Sequence, residues 1–414
     1  MAIVVLAFIM RLLYTTYPSL KHWGGGERST YQLARGLQKI SMNGSLEDPV
    51  DIVFASTGSF PGYRTYVFGD IRRILFIELR NKYLFKFFYS IIKSESIDIV
   101  HAHDAHTPIS AILAAQSQDI PSVVHYRGYW FMCPRSTLMS PRGYICESCN
   151  YARVLSCSRN PFRNAYNTYK YAVINRYLDV LRSADLSIAI SSYVQSKLDD
   201  VDIDSMVIYN PVDVNRFQEV DGSFGRQKFG IPADAFVVTF VGTLKPYKGS
   251  IVLKEIIQRF MDAFPERTDV FFVVVGGGPD SKVFEILDRM HPNVMFLGRV
   301  SDDTIPMIYR MSDTVLFPSQ WNEPLGRIAL ETLAAGRVVI ASRVGGIPDV
   351  VRDGHDGILV DCPSCVDEWV EKILGVYNDD ALRRRISKNA LRSARERFDL
   401  PVIAKQMYSV YKRL

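Results

Sequence analysis

Twelve short apolar runs alternate with helix-patterned segments along this chain, and that alternation limits its fold more than any other feature. The first half holds IVVLAF, VDIVFAS, DIVHAH, PSVVHY, LSIAIS and SMVIYN; the second holds AFVVTFVG, VFFVVVG, VMFLG, TVLFP, VVIAS and GILV. Strands covered on both faces are apolar throughout, and parallel neighbours need a crossover helix between them. The pattern therefore predicts an α/β chain of doubly wound parallel sheets. A chain of 414 residues exceeds one ordinary core, so two such domains are expected. The turn-rich NPVDVNRF at 210–217 marks the boundary, because a fresh strand–loop–helix series follows it. This gives an N-terminal domain over 1–212, a C-terminal domain over 213–395, and a last helix, 396–414, packing back on the N-terminal domain.

The opening MAIVVLAFIMRLLY is apolar, but Arg11 interrupts it short of the ~20 residues a membrane span needs. It lacks a basic start and a small-residue cleavage site, so it reads as a buried parallel strand rather than a signal peptide. A cytoplasmic location follows as an expectation. There, cysteines bind metals or react more often than they form disulfides.

Charge is uneven. Residues 1–200 carry 22 Lys/Arg against 15 Asp/Glu, whereas residues 201–414 carry 27 against 29. The excess sits in 71–93 (six basic residues, with Glu78 the one acid) and 126–176 (eight, with Glu147 the one acid), so the first half should face something anionic. Nucleic acid is not expected, since net charge is only +5 and no binding module is present. The 71–93 stretch interleaves Ile, Leu, Phe and Tyr with its Arg and Lys. That suits either a domain helix with a solvated basic face or a helix lying on an anionic membrane surface.

Open α/β sheets bind ligands in the loops beyond the carboxyl ends of their strands. The most informative such loop is PSQWNEPLGRIALETLAAG, 318–336, with Glu323 and Glu331 eight residues apart at the entry to a helix. A helix start offers free amides and a positive dipole end, which suits phosphate. Glu323 is placed to take sugar hydroxyls and Glu331 a ribose diol. A capped amphipathic helix with two solvated acids is the plainer alternative.

The wider stretch PSQWNEPLGRIALETLAAGRVVIASRVGGIPDVVRDGHDGILV resembles the donor-binding segment of retaining GT-B glycosyltransferases of family 4. Further motifs similar to that family's follow its order: GGGERST (24–30), VVHY (123–126), YNPVD (209–213), VGTLKPYKG (241–249) and VVGGGPD (274–280). The resemblance covers almost the whole chain. It implies the GT-B fold, with two Rossmann-like domains facing across a cleft.

It also implies roles. Glu323 would hold the donor sugar, the backbone of Leu325 and Gly326 would cradle the diphosphate, and Glu331 would bind the ribose. Lys248 would neutralise the departing diphosphate, a fixed cation where negative charge develops. Gly24 and Gly25 would let their loop approach the donor closely, and His125 would position donor sugar and acceptor. One position departs from the pattern: Thr243 stands where most relatives carry an arginine that shares the diphosphate, and Lys245 or a first-domain residue is the candidate substitute. The implied activity is hexose transfer, with retention and without a catalytic metal, from a UDP- or GDP-sugar to a hydroxyl of a glycan or lipid-linked acceptor. That acceptor would be a lipid-linked or cell-surface glycan precursor, handled at the inner face of the membrane. Two alternatives stay open: a GT-B sugar-nucleotide epimerase, and a catalytically silent sugar-nucleotide-binding subunit.

Two clusters lie outside that scheme. HAHDAH, 101–106, has metal-like spacing, but it follows a strand whose counterpart in relatives often bears a histidine without metal. A structural or acceptor-side role is expected. The second cluster is Cys133, Cys146, Cys149 and Cys157, in an insertion over 133–157 directly after His125. The pair at CxxC spacing with two flanking cysteines fits a four-thiolate structural zinc, or a [4Fe–4S] cluster, better than free thiols or disulfides. With Arg127, Arg135, Arg142 and Arg153 around it, the loop would shape a basic acceptor entrance. Cys362 and Cys365 form a second CxxC with no assigned role.

Overall fold

The computed structural model describes residues 8–17, 24–140 and 143–414. Two compact units emerge, one formed by residues up to Pro211 together with Leu400–Leu414 and the other by Val212–Asp399. Each is a parallel sheet covered by helices.

The first unit holds β1 (Met10–Thr15), β2 (Val50–Ser56), β3 (Arg64–Val67), β4 (Ile99–Ala102), β5 (Ser122–Tyr126), β6 (Leu186–Ala189) and β7 (Met206–Val207). They lie in the order β3-β2-β1-β4-β5-β6-β7. The expected first strand is displaced. Residues 3–7 of IVVLAF lie outside the described residues, Phe8 is exposed, and β1 is the following MRLLYT, paired from Met10↔Val50 to Thr15↔Ala55. β3 is not among the twelve apolar runs, because RTYV is an edge strand. SMVIYN is extended in a sheet only at Met206–Val207.

The helix Leu400–Tyr411 belongs to this first unit. Ile403, Ala404, Met407 and Tyr411 share one core with Leu33, Ala34 and Leu37 of the helix Gly25–Met42 and with Leu12 and Tyr14 of β1. The two helices approach closely at Gly36, where a Cβ would stand 2.9 Å from the Leu400 carbonyl oxygen. A side chain there would force the helices apart.

The second unit holds β8 (Phe236–Val241), β9 (Val270–Val275), β10 (Val294–Gly298), β11 (Thr314–Phe317), β12 (Val338–Ser342) and β13 (Ile358–Val360), in the order β10-β9-β8-β11-β12-β13. β8 and β12 are buried at every position, which explains why FVVTFV and VVIAS carry no polar face. The order reverses between β8 and β11. That is the switch point at which open α/β sheets make their ligand crevice.

Candidate functional site

The loops after β8 and β11 bring Lys248 and Glu323 together at this switch point. Lys248 Nζ donates to both Glu323 carboxylate oxygens, at 2.7 and 2.9 Å, and Ser319 Oγ donates to Oε1 at 2.9 Å. Glu323 is only 5% exposed, so its charge is bearable because each oxygen is paired. The Lys248 ammonium also stands 4.4 Å from the Trp321 ring centroid, a cation–π contact. Gly249 makes this approach possible. Its φ of 88° is left-handed, and a Cβ would fall 1.9 Å from the Pro318 carbonyl oxygen. On the other side, the Gly346 amide donates to the Glu323 carbonyl at 2.7 Å.

Leu325 is buried, and Gly326 leads into the helix Arg327–Ala334. Glu331, on that helix, accepts from Tyr309 Oη (2.9 Å) and Arg327 Nε (2.8 Å). Both expected acids are thus held in fixed positions, which a pair of solvated acids would not be. Thr243 is exposed, and its carbonyl accepts from the Lys245 amide at 2.9 Å. Lys245 itself lies 5.7 Å from the Tyr247 ring centroid. A cavity of about 840 Å³ in the same unit is lined by Asp269, Asp313 and Arg337, before the amino ends of β9, β11 and β12. It lies at the opposite sheet edge, and its Arg226–Asp313 pair (2.8 Å) is self-compensated.

In the first unit Gly24 and Gly25 are exposed at the start of the helix Gly25–Met42, and the following Gly26 has its Cβ position 3.8 Å from Arg127 Cδ. His125 ends β5 and is 1% exposed. The register His101↔Val123 places His101 and His103 on the same face as His125. The ring centroids of His101 and His103 lie 3.8 Å apart, and those of His103 and His125 5.6 Å. Sequence reasoning did not join His125 to HAHDAH. The usable signal was H-x-H at the end of one strand and His at the end of the next.

His101 Nδ1 is 2.6 Å from Tyr411 Oη, which is 2.7 Å from Tyr14 Oη. Arg127 donates to Asn210 and lies 3.3 and 3.4 Å from Nδ1 of His103 and His125. The Nε2 atoms of all three histidines are buried without a hydrogen-bond partner. Burial first, and then the Arg127 charge, push His101 and His125 well below the usual imidazole range, and burial does the same to His103. Among the described residues these three make the one group whose ligand atoms lie within 4.8 Å of one another. The fixed guanidinium beside them opposes a second cation.

Cys133, Cys146, Cys149 and Cys157 carry free thiols and line a single cavity of about 240 Å³. The Cys133–Cys149 hydrogen bond splits that pair: against burial it lowers the Cys133 thiol, and it raises the Cys149 thiol. Arg135 donates to the Cys157 carbonyl and Arg153 to that of Ser148, while Arg142 lies outside the described residues. Cys362 and Cys365, left unassigned from the sequence, form a disulfide at the start of the helix Val366–Asn378.

Residues 71–93 form a short turn at Ile71–Arg73 and the helix Ile77–Glu95. Leu84, Phe88 and Ile91 face inward, while Leu75, Phe76 and Leu79 are more than half exposed beside Arg73, Lys82 and Lys86. Among the described residues no helix is long and apolar enough to cross a membrane.

Comparison with known proteins supports the same fold. Residues 23–216 match the family model described as Glycosyltransferase Family 4, and residues 223–393 match Glycosyl transferases group 1. A D-inositol 3-phosphate glycosyltransferase of Nocardioides is 31% identical over 254 residues, covering 56% of this chain and 55% of the relative. Spore coat protein SA of Bacillus subtilis is 31% identical over 186 residues, 43% of this chain and 48% of that protein. The chain spans about half the length of the curated relatives it matches. Among solved structures, Anabaena HepE in complex with UDP superposes with a TM-score of 0.69 at 20% identity, covering 98% of this chain and all of that one. WaaG, a glycosyltransferase involved in lipopolysaccharide biosynthesis, gives 0.65 at 15% identity over 97% and 99%.

Proposed function

We propose, for a chain that belongs to glycosyltransferase family 4 and has the GT-B fold, that it moves a hexose from a nucleotide-diphosphate sugar to an acceptor hydroxyl with retention and without a catalytic metal. The observation that carries this reading is the buried Lys248–Glu323 pair at the sheet's switch point. Donor binding exchanges that pair. Lys248 turns to the diphosphate, and Glu323, still held by Ser319, takes the sugar hydroxyls. The start of the helix Arg327–Ala334, with the backbone of Leu325 and Gly326, cradles the phosphates, and Glu331 takes the ribose. As the glycosidic C–O bond breaks, Lys248 stabilises the charge growing on the leaving diphosphate, whose oxygen accepts the acceptor's proton on the same face. His125, neutral through burial, positions the sugar and acceptor. Solved neighbours in complex with UDP and UDP-glucose support a UDP-sugar as the first donor to try.

The exposed Leu75, Phe76 and Leu79 among basic residues support docking on an anionic membrane surface, where a lipid-linked glycan precursor would be met. Four thiols around one cavity are the donor set of a structural zinc, which would have to draw together sulfurs of which no three lie within 4.8 Å of one another. Zinc there would staple the 133–157 loop.

The test is sugar transfer from UDP- and GDP-hexoses by wild type, Glu323→Gln and Lys248→Ala. Losses of about 10²–10³-fold are expected, the scale of removing one transition-state contact. Full transfer by both variants from every donor overturns the assignment. Donor turnover with no acceptor present would instead identify an epimerase.

A further inference from the structure

The first unit contains a second cavity, of about 430 Å³, with a strongly basic lining. Arg72, Arg80, Arg135 and Lys170 line it, with Ile109, Val173 and Ile174 as apolar wall. Arg72 is neutralised by Asp70 at 2.9 Å. The other three cations bond only to carbonyls: Arg80 to Ile74, Arg135 to Cys157 and Lys170 to Pro134. Among the described residues none of these three has a carboxylate within ion-pair distance. Arg80 is 6% exposed, and a guanidinium that deep is ordinarily paired.

Unused donors point the same way. Arg80 Nε, Asn81 Nδ2 and Trp130 Nε1 are buried with no partner, and Asn81 too is 6% exposed. Buried polar groups are normally satisfied; all three residues line the cavity, and a turn of their side chains would bring these shielded donors to an acceptor inside it. The field is felt by His106, also on the wall, which burial and then Arg80, Lys170 and Arg72 hold near about 4. Burial lowers the Lys170 ammonium, partly offset by the Cys133 thiol and reinforced by Arg80.

We propose that this cavity binds the phosphate or diphosphate ester of a ligand whose remaining bulk lies against the apolar wall. Three cations without a carboxylate partner suit a group of two or three negative charges better than a single carboxylate, and guanidinium forks match phosphate oxygens. The volume is in the range of small-ligand pockets and exceeds what a bare anion needs. Pro134, Arg135 and Ser136, directly after Cys133, form part of the wall. The cysteine loop therefore shapes this site. That the ligand is the sugar acceptor rests on the glycosyltransferase reading; the anion site does not.

The experiment footprints Lys170 in the full chain. Its acetylation by acetic anhydride is followed by mass spectrometry with UDP present to occupy the donor site, before and after adding inorganic pyrophosphate. Protection of at least about tenfold is expected at saturation, and it should fall in Arg80→Gln and in the exposed, fold-neutral Arg135→Gln. Phosphatidylcholine vesicles with and without a polyprenyl phosphate form the second arm. Protection by pyrophosphate supports the site with a soluble phosphorylated ligand, and protection only by polyprenyl phosphate vesicles supports it with a lipid-borne one. No protection in either arm overturns the proposal, as does equal protection by plain phosphatidylcholine. UDP affinity is read separately, so a failed donor site and a failed anion site are told apart.

Discussion

Lowering the pH should unravel the first unit from its histidine row. His101, His103 and His125 are buried and held neutral, with imidazole pKa values depressed by burial. A group whose folded pKa is depressed binds its proton more readily when unfolded. Stability is therefore fully present above about 6.5 and is lost as pH falls. Each such histidine contributes a slope approaching ~1.4 kcal/mol per pH unit, so the three together give roughly 4 kcal/mol per pH unit. Integrated from pH 7.5 to 5.5 this is roughly 4 kcal/mol, a large share of a net domain stability of roughly 5–15 kcal/mol. His106 adds to the slope until about 4, while Asp104, raised to about 6 by burial, works in the opposite direction as it protonates. The assay is hydrogen exchange at β4 and β5 amides, corrected for intrinsic rates, at about pH 7.5, 6.5 and 5.5. His103→Gln should lower the slope by about a third. Protection that is flat or rises on acidification, or an unchanged slope in the variant, would refute the reasoning.

Tyr411→Phe removes the hydroxyl that meets both His101 Nδ1 and Tyr14. It leaves a buried nitrogen unpaired, so a loss of about 1–3 kcal/mol is expected in urea unfolding of the first unit. Gly249→Ala combines a left-handed φ with a Cβ 1.9 Å from a carbonyl, and should weaken donor binding as well as lower the melting temperature. Purified protein should carry about one zinc per chain, with four thiols becoming titratable after chelation. Elemental analysis finding neither zinc nor iron would remove the metal.

Much of this fold was readable because parallel strands buried on both faces declare themselves. VDIVFAS and VVIAS coincide with β2 and β12. Apolarity does not fix register, and this is where β1 went astray: in MAIVVLAFIMRLLYT a long apolar run precedes the segment that pairs with β2. RTYV escaped because an edge strand needs no buried face. In the candidate site, Glu323, Glu331 and Lys248 were legible from their motifs, whereas their partners Ser319, Tyr309 and Arg327 were not. Tyr309 reaches Glu331 from another helix 22 residues away, while Ser319 and Arg327, each four residues from its acid, are polar residues that no motif singles out. The convergence of His101, His103 and His125 needed the β4–β5 register, and the cations of the 430 Å³ cavity come from separate segments spread over the first unit.

The helix Leu400–Tyr411 sets an order of assembly. Its apolar face completes the core that Leu33, Leu37 and Tyr14 begin, yet Val212–Asp399 is synthesised in between. Domains usually fold in the order in which they are made. Here the unit that starts first is finished last, and a ribosome pausing anywhere before Leu400 holds a nascent sheet with one face only partly covered.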